Sequence, residues 1–197
     1  MKITRLETFL VKPRWLFLKV HTDEGIVGLG EPILEGRAKT CAVAVQELEP
    51  WLIGEDPTRV VHHWQAMYKH AFYRGGPIKT AISSGIDQAL WDIKGKDLGK
   101  PVCDLLGGPV RDKLRLYDHL GGGTLEGMYK TASPEAFADR IMESVSRGFT
   151  AVKAMPIPVS ELIESSSVLK HAARCVEAMR KAAGDEIDIM LDLHART

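Results

Sequence analysis

The strongest constraint on the fold is a change of pattern near residue 113 of this 197-residue chain. Before that point, period-two alternation over residues 4–11, 15–20 and 26–30 predicts three strands of an antiparallel meander, and helical spacing follows. After it, strand and helix patterns alternate. That alternation is typical of parallel strands joined by crossover helices, so the sequence predicts two domains of different architecture.

The predicted boundary separates an α+β domain, residues 1–113, from the start of an α/β domain, residues 114–197. A closed eight-stranded barrel needs roughly 250 residues, so the second part would hold only the first three strands of a barrel. A short open sheet is the alternative. Because three parallel strands leave an unpaired edge, we expect these residues to belong to a longer protein. The elements predicted after the boundary are strand 114–120, helix 133–147, strand 150–155, helix 160–184 and strand 187–193.

Composition excludes several classes of function. Lys+Arg and Asp+Glu number 26 each, so the net charge is zero and nucleic-acid binding is not expected. No apolar run reaches the ~18 residues of a membrane span. Cys41, Cys103 and Cys175 are widely spaced, and we expect buried thiols in a reducing cytoplasm. Trp64 and Tyr68, at helical spacing, are expected in the core.

Motifs spread over nearly the whole chain carry a resemblance to a known family. They are TDEG (22–25) with GLGEP (28–32), EGRA (35–38), FYRGGPI (72–78), GIDQALWDIKGK (85–96), LGG (106–108) with VRDK (110–113), and DLH (192–194). In this order they resemble the amino-terminal half of the mandelate racemase/muconate lactonizing enzyme type of the enolase superfamily, and within it the sugar-acid dehydratases.

The resemblance implies a fold and a chemistry. The fold would be an α+β capping domain followed by the first three strands of a modified (β/α) TIM-type barrel. The family binds one Mg²⁺ with three carboxylates at successive strand ends, removes the proton α to a substrate carboxylate and stabilises the enediolate; a Lys or His base with Mg²⁺ is the general pattern of this superfamily. The implied partners are a small-molecule sugar acid and further copies of the chain in a homo-oligomer.

The sharpest candidate site residues are Asp192 and His194. Positions i and i+2 of a strand point to the same side, so both can face one site. Carboxylate oxygen suits Mg²⁺, and the resemblance implies that Asp192 is a metal ligand. It also implies that His194 is the general acid that protonates the departing hydroxyl. Lys153 would face the substrate carboxylate, and Met155 stands where racemases carry a lysine base, which favours the dehydratase branch.

Further substrate contacts are expected from loops. The resemblance implies that capping-domain loops close over the barrel mouth, and an arginine there can offer several fixed hydrogen bonds to a carboxylate or polyol. Asp118 and His119 end the first barrel strand, a position open to substrate. The capping-loop candidates are Arg14, Glu35, Arg37, Tyr73 and Arg74.

The predicted function is dehydration of a galactonate-like aldonic acid to a 2-keto-3-deoxy acid by the complete, cytoplasmic protein. Mannonate or gluconate is the nearest alternative substrate. A truncated, non-catalytic member of the family is the alternative from another class. The later metal carboxylates and the histidine base of the family would lie beyond Thr197, so the 197-residue segment alone is expected to be inactive.

Overall fold

The computed structural model describes residues 1–69, 72–121, 132–157 and 160–193. They form two compact units, Met1–Val110 and Arg111–Thr197. In the described part of the chain, no helix is long and apolar enough to cross a bilayer.

The first unit opens with an antiparallel sheet of three strands, β1 (Ile3–Val11), β2 (Trp15–Thr22) and β3 (Val27–Gly30), in that order. The predicted alternation is confirmed on β2, where the even positions are buried and the odd ones are exposed, apart from the half-buried His21. The buried face covers the core of the unit, whose fully enclosed members include Leu16 and Leu18.

Among its described residues, the first unit also has four helices: α1 (Ala38–Leu52), α2 (Val60–Lys69), α3 (Pro77–Leu98) and the short α4 (Val102–Leu105). Helix α3 lies against β3 so closely that a Cβ atom at Gly28 would overlap the carbonyl oxygen of Ala89. Glycine is therefore required there by the close packing of a helix on a strand.

Two burial predictions in this unit are wrong. Trp64 and Tyr68 are 47% and 44% exposed. The core-facing residues of α2 are Val60, His63 and Met67, one position earlier in the helical period. A histidine takes the buried place because its ring Nε2 lies 2.7 Å from the carbonyl oxygen of Asp56. This bond satisfies one ring nitrogen, whereas the buried Nδ1 of His63 has no hydrogen-bond partner among the described residues. The predicted core face of α2 is therefore one residue out of phase with the observed one.

The expectation of buried thiols holds for only two of the three cysteines. Cys41 and Cys175 are buried, whereas Cys103 is exposed. Cys103 lies in α4, a single helical turn that has no buried residue of its own.

The second unit is a parallel sheet with helical crossovers. Strands β4 (Asp118–His119), β5 (Ala151–Ala154) and β6 (Asp188–Leu191) pair in the order β4-β5-β6. Helix α5 (Pro134–Ser146) lies between β4 and β5 in the chain, and α6 (Ser166–Ala183) lies between β5 and β6. The two helices pack on each other and cover one core, centred on side chains such as Ile141, Val152 and Met179.

All five elements of this unit are shorter than predicted, and two differ most. The first strand has two residues instead of the predicted 114–120, because residues 114–117 are exposed and make no ladder with β5. The side chain of Arg115 joins this segment to the sheet instead, with hydrogen bonds of 2.9 and 2.8 Å to Thr150 and an ion pair of 2.6 Å to Asp188. Helix α6 begins at Ser166 and not at residue 160, because Ser165 is its extended N-cap residue.

Candidate active site at the strand ends

The carboxyl ends of β4, β5 and β6 bring three candidate residues to one edge of the sheet. His119 pairs with Lys153 in the parallel ladder. The backbone N–H of Asp192 donates to the carbonyl oxygen of Ala154 at 2.9 Å, so Asp192 directly follows β6 in register. Ligands of parallel sheets bind outside the carboxyl ends of strands, where several strands contribute side chains.

Lys153 and Asp192 form an ion pair across the strand ends. The Lys153 Nζ lies 3.1 Å from Asp192 Oδ2. The hydrogen bond to Asp192 raises the pKa of Lys153, although partial burial of the ammonium acts in the opposite direction. Lys153 is therefore a stable cation that faces a carboxylate.

Tyr117 is a member of this cluster that the sequence analysis missed. The Lys153 Nζ lies 5.5 Å from the centre of the Tyr117 ring, a cation–π distance, and the electrostatic interaction with this tyrosine further raises the pKa of Lys153. The signal was present in the sequence. Tyr117 precedes His119 by two residues and so lies on the same side of an extended chain.

His119 is a neutral hydrogen-bond donor. Burial lowers its pKa and the nearby Lys153 ammonium lowers it further, against the attraction of Asp192. Its Nδ1 accepts the backbone N–H of Gly121 at 2.9 Å. A neutral imidazole that accepts at Nδ1 carries its proton on Nε2, so the ring can donate one hydrogen bond to an oxygen.

Asp118 holds β4 against α5. Its Oδ2 accepts hydrogen bonds from Ser144 Oγ at 2.7 Å and from Arg147 at 3.0 Å. Its Oδ1 accepts from the backbone N–H of His119 at 3.0 Å. These contacts are internal to the unit, and a role of Asp118 in substrate binding stays a prediction.

The described residues supply part of a metal site. Mg²⁺ prefers about six oxygen ligands in octahedral geometry, and the Asp192 carboxylate at a strand end fits as one of them. In the described ranges, no three His, Cys, Asp or Glu side chains come together as a set that could hold a metal. His194, the predicted general acid, lies outside the described residues.

Of the five capping-loop candidates, the structure brings two together. Arg14 and Glu35 form an ion pair, and the Arg14 guanidinium lies 4.9 Å from the centre of the Trp15 ring. Arg37 precedes α1 and donates to the carbonyl oxygen of Gly36 at 3.3 Å.

Tyr73 and Arg74 are exposed, and the Tyr73 ring contacts that of Phe72 edge-on at 5.2 Å. Substrate binding by any of the five capping-loop candidates stays a prediction.

Comparison with known proteins decides the family. The model of the mandelate racemase / muconate lactonizing enzyme N-terminal domain matches residues 7–107. The chain belongs to this family. The predicted fold is thereby confirmed, with a capping domain followed by parallel strands of a partial barrel rather than a short open sheet.

Three relatives show how far the similarity extends. D-galactonate dehydratase of Verminephrobacter eiseniae (strain EF01-2) is 46% identical over 196 residues, which are 100% of this chain and 49% of that protein. The solved structure of a candidate dehydratase from Zymomonas mobilis ZM4 has a TM-score of 0.91 and 33% identity over 100% of this chain and 55% of the other. An enolase from Agrobacterium radiobacter, solved with Na and L-malate, has a TM-score of 0.84 and 28% identity over 99% and 49%. The chain thus spans about half the length of the curated relative it matches.

Proposed function

We propose that the complete protein is a Mg²⁺-dependent sugar-acid dehydratase that converts a galactonate-like aldonic acid to a 2-keto-3-deoxy acid. The observation that carries the proposal is the Lys153–Asp192 pair at the strand ends of a chain that is 46% identical to a D-galactonate dehydratase. A cation for a substrate carboxylate lies beside a carboxylate for a metal, which are the two charges that this reaction needs.

Asp192 is one ligand of the metal in this proposal. When bound, Mg²⁺ supplies positive charge that lowers the cost of removing the proton α to a carboxylate. The remaining carboxylates and the base would come from the second half that the relatives possess.

Lys153 and His119 orient the substrate. The Lys153 ammonium binds the substrate carboxylate, and Tyr117 limits the positions that the lysine side chain can take. The Nε2–H of His119 donates to a substrate oxygen. His194 gives its proton to the departing hydroxyl, the role that the family resemblance implies for it.

The capping domain sets which acid is accepted. Among the capping-loop candidates, Arg14 has the guanidinium best positioned for substrate binding, because Glu35 and the Trp15 ring hold it in place. Arg37, Tyr73 and Arg74 would add hydrogen bonds to the polyol. The protein is proposed to act in the cytoplasm as a homo-oligomer; the three free cysteines suit a reducing compartment.

Activity of the natural protein with Mg²⁺ tests the proposal. D-galactonate, D-mannonate and D-gluconate are compared as substrates, with formation of the 2-keto-3-deoxy acid as the readout. We expect turnover of D-galactonate and loss of roughly 100-fold or more in the Asp192→Asn variant, since even residues that only support metal ligands cost 10- to 100-fold.

Asp185→Asn is the matched control, because Asp185 is an exposed carboxylate in the turn that precedes the same strand. The 197-residue chain alone should be inactive. Preference for mannonate or gluconate would select the alternative substrate. Absence of turnover for every acid, or full activity of Asp192→Asn, would contradict the proposal and favour a non-catalytic member.

A further inference from the structure

A cavity of about 250 Å³ lies in the first unit, between helices α2 and α3. None of its lining residues belongs to the candidate active site. Two aromatic side chains of α2, Trp64 and Tyr68, form one wall. Polar side chains of α3 form the other. The volume approaches the range of roughly 300–1,000 Å³ that is typical of small-molecule sites.

The aromatic wall is flat and open. The rings of Trp64 and Tyr68 are stacked at 5.7 Å with an angle of 3° between their planes. Both residues remain nearly half exposed, although large aromatic side chains gain most from full burial. A ligand that places C–H groups on these rings would complete their burial.

The opposite wall carries a charged residue at each end and hydroxyl groups between them. Lys79 and Asp87 line its two ends, eight residues apart, which is about 12 Å along a helix axis. Thr80 and Ser84 lie between them on the same helix face, four residues apart. A ligand that reaches both charges must therefore be an extended molecule rather than a compact one.

Hydrogen-bonding capacity is left over on this wall. The Thr80 hydroxyl donates to the carbonyl oxygen of Gly76 at 2.9 Å, so its oxygen can still accept. Ser84 Oγ accepts from Gln88 Nε2 at 3.2 Å, so its O–H can still donate. The Lys79 ammonium has three donors, of which one lies 3.5 Å from the carbonyl oxygen of Tyr73.

The acidic end needs hydrogen-bond donors. Burial raises the pKa of Asp87, against a hydrogen bond from the Trp91 side chain that favours the charged form. A carboxylate accepts about four hydrogen bonds, and ligand hydroxyl groups can supply donors that solvent supplies poorly here. A single carboxylate does not suit a divalent cation, and a single lysine does not suit a polyphosphate.

We propose that this cavity is a second binding site, for an extended polyhydroxy carboxylate. The ligand carboxylate binds Lys79, its hydroxyl groups bind Ser84, Thr80 and Asp87, and its C–H face packs on Trp64 and Tyr68. The inference rests on the walls of the cavity and not on the proposed dehydratase activity. It can therefore hold even if that activity does not.

Binding of D-galactonate to the 197-residue chain tests the proposal, with calorimetry as the readout and tryptophan fluorescence as a check on Trp64. We expect saturable binding that is weakened at least tenfold in Lys79→Met and in Asp87→Leu. Gln65→Ala is the matched control on α2, because Gln65 is exposed and does not line the cavity. It should bind within twofold of the parent chain.

A second ligand and a second variant separate this site from the strand ends. Galactitol has the same carbon skeleton without the carboxylate. It should bind the parent protein at least tenfold more weakly than galactonate does, whereas the two ligands should bind Lys79→Met with equal affinity. Lys170→Met, at an exposed lysine of α6 that belongs to neither site, should leave galactonate binding unchanged. Loss of binding in Lys153→Met but not in Lys79→Met would overturn the proposal, as would no saturable binding at all.

The binding result for Asp87→Leu is interpreted only if this variant unfolds at the same temperature as the parent chain. Because Lys79 is only half-buried, the folding of Lys79→Met does not depend on packing in the interior of α3.

Discussion

Replacing Lys153 with methionine should raise the affinity for Mg²⁺ and lower kcat/KM for the aldonic acid. The methionine keeps most of the length and apolar volume of the lysine stem and removes only the ammonium. The side chains of Lys153 and Asp192 are 27% and 19% exposed, and their charged atoms lie 3.1 Å apart. The ammonium therefore competes with any cation for the Asp192 carboxylate, while it also offers a partner to an anionic substrate.

The magnitudes follow from these two roles. A partly exposed ion pair is worth up to about 1 kcal/mol, so removal of the lysine should tighten Mg²⁺ binding by roughly fivefold. A hydrogen bond to a charged group contributes about 1.5–3 kcal/mol, so kcat/KM for the aldonic acid should fall by roughly 10- to 150-fold.

The assay is calorimetric titration with Mg²⁺ beside steady-state kinetics on the natural protein. Lys170→Met on α6 is the control, because Lys170 is an exposed lysine away from the strand ends. It should change neither quantity by more than twofold. Weaker Mg²⁺ binding in Lys153→Met together with an unchanged kcat/KM would refute the reasoning. The metal titration remains informative even if no substrate is turned over.

Three further predictions concern stability and reactivity. Gly28→Ala should destabilise the first unit by about 1–3 kcal/mol in urea unfolding, because its Cβ would overlap the backbone oxygen of Ala89; an unchanged midpoint would contradict the close packing. A thiol reagent should modify Cys103 quickly in the native chain and the two buried cysteines only after denaturation, as peptide mapping can show. Since burial lowers the pKa of His119 in the folded state, the unfolded chain binds the proton more readily. The folded state should thus lose stability as the pH falls below about 6.5, and His119→Asn should lose less over that range.

Local periodicity was enough to predict the architecture. The alternation of Leu16, Leu18 and Val20 defined the buried face of the first sheet, and the strand–helix alternation defined the parallel sheet of the second unit. Where the burial prediction for α2 failed, a hydrogen bond from a side chain to the backbone decided the outcome. The hydrogen bond between His63 and Asp56 allowed a polar ring to take the core position of α2, and no periodicity could reveal it.

In the candidate site, too, some features follow from the sequence and others depend on contacts that the sequence does not reveal. Strand spacing and the family resemblance pointed to Lys153 and Asp192, and the structure places their charges in contact. The tautomer of His119 could not be predicted, because it depends on the backbone N–H of Gly121 in the following loop. The internal bonding of Asp118 depends on helix α5, whose distance from the strand the sequence does not specify.

Because strand β4 has only two residues, the contacts of Arg115 influence the position of residues further along the segment. A ladder this short fixes a strand only weakly, so the bonds of the guanidinium to Thr150 and Asp188 hold this segment in place together with those of Asp118 to α5. His119 lies four residues further along the chain, at the carboxyl end of β4. A substitution of Arg115, although it touches no ligand, would let the imidazole drift relative to Lys153 and could thereby alter substrate preference from the far side of the sheet.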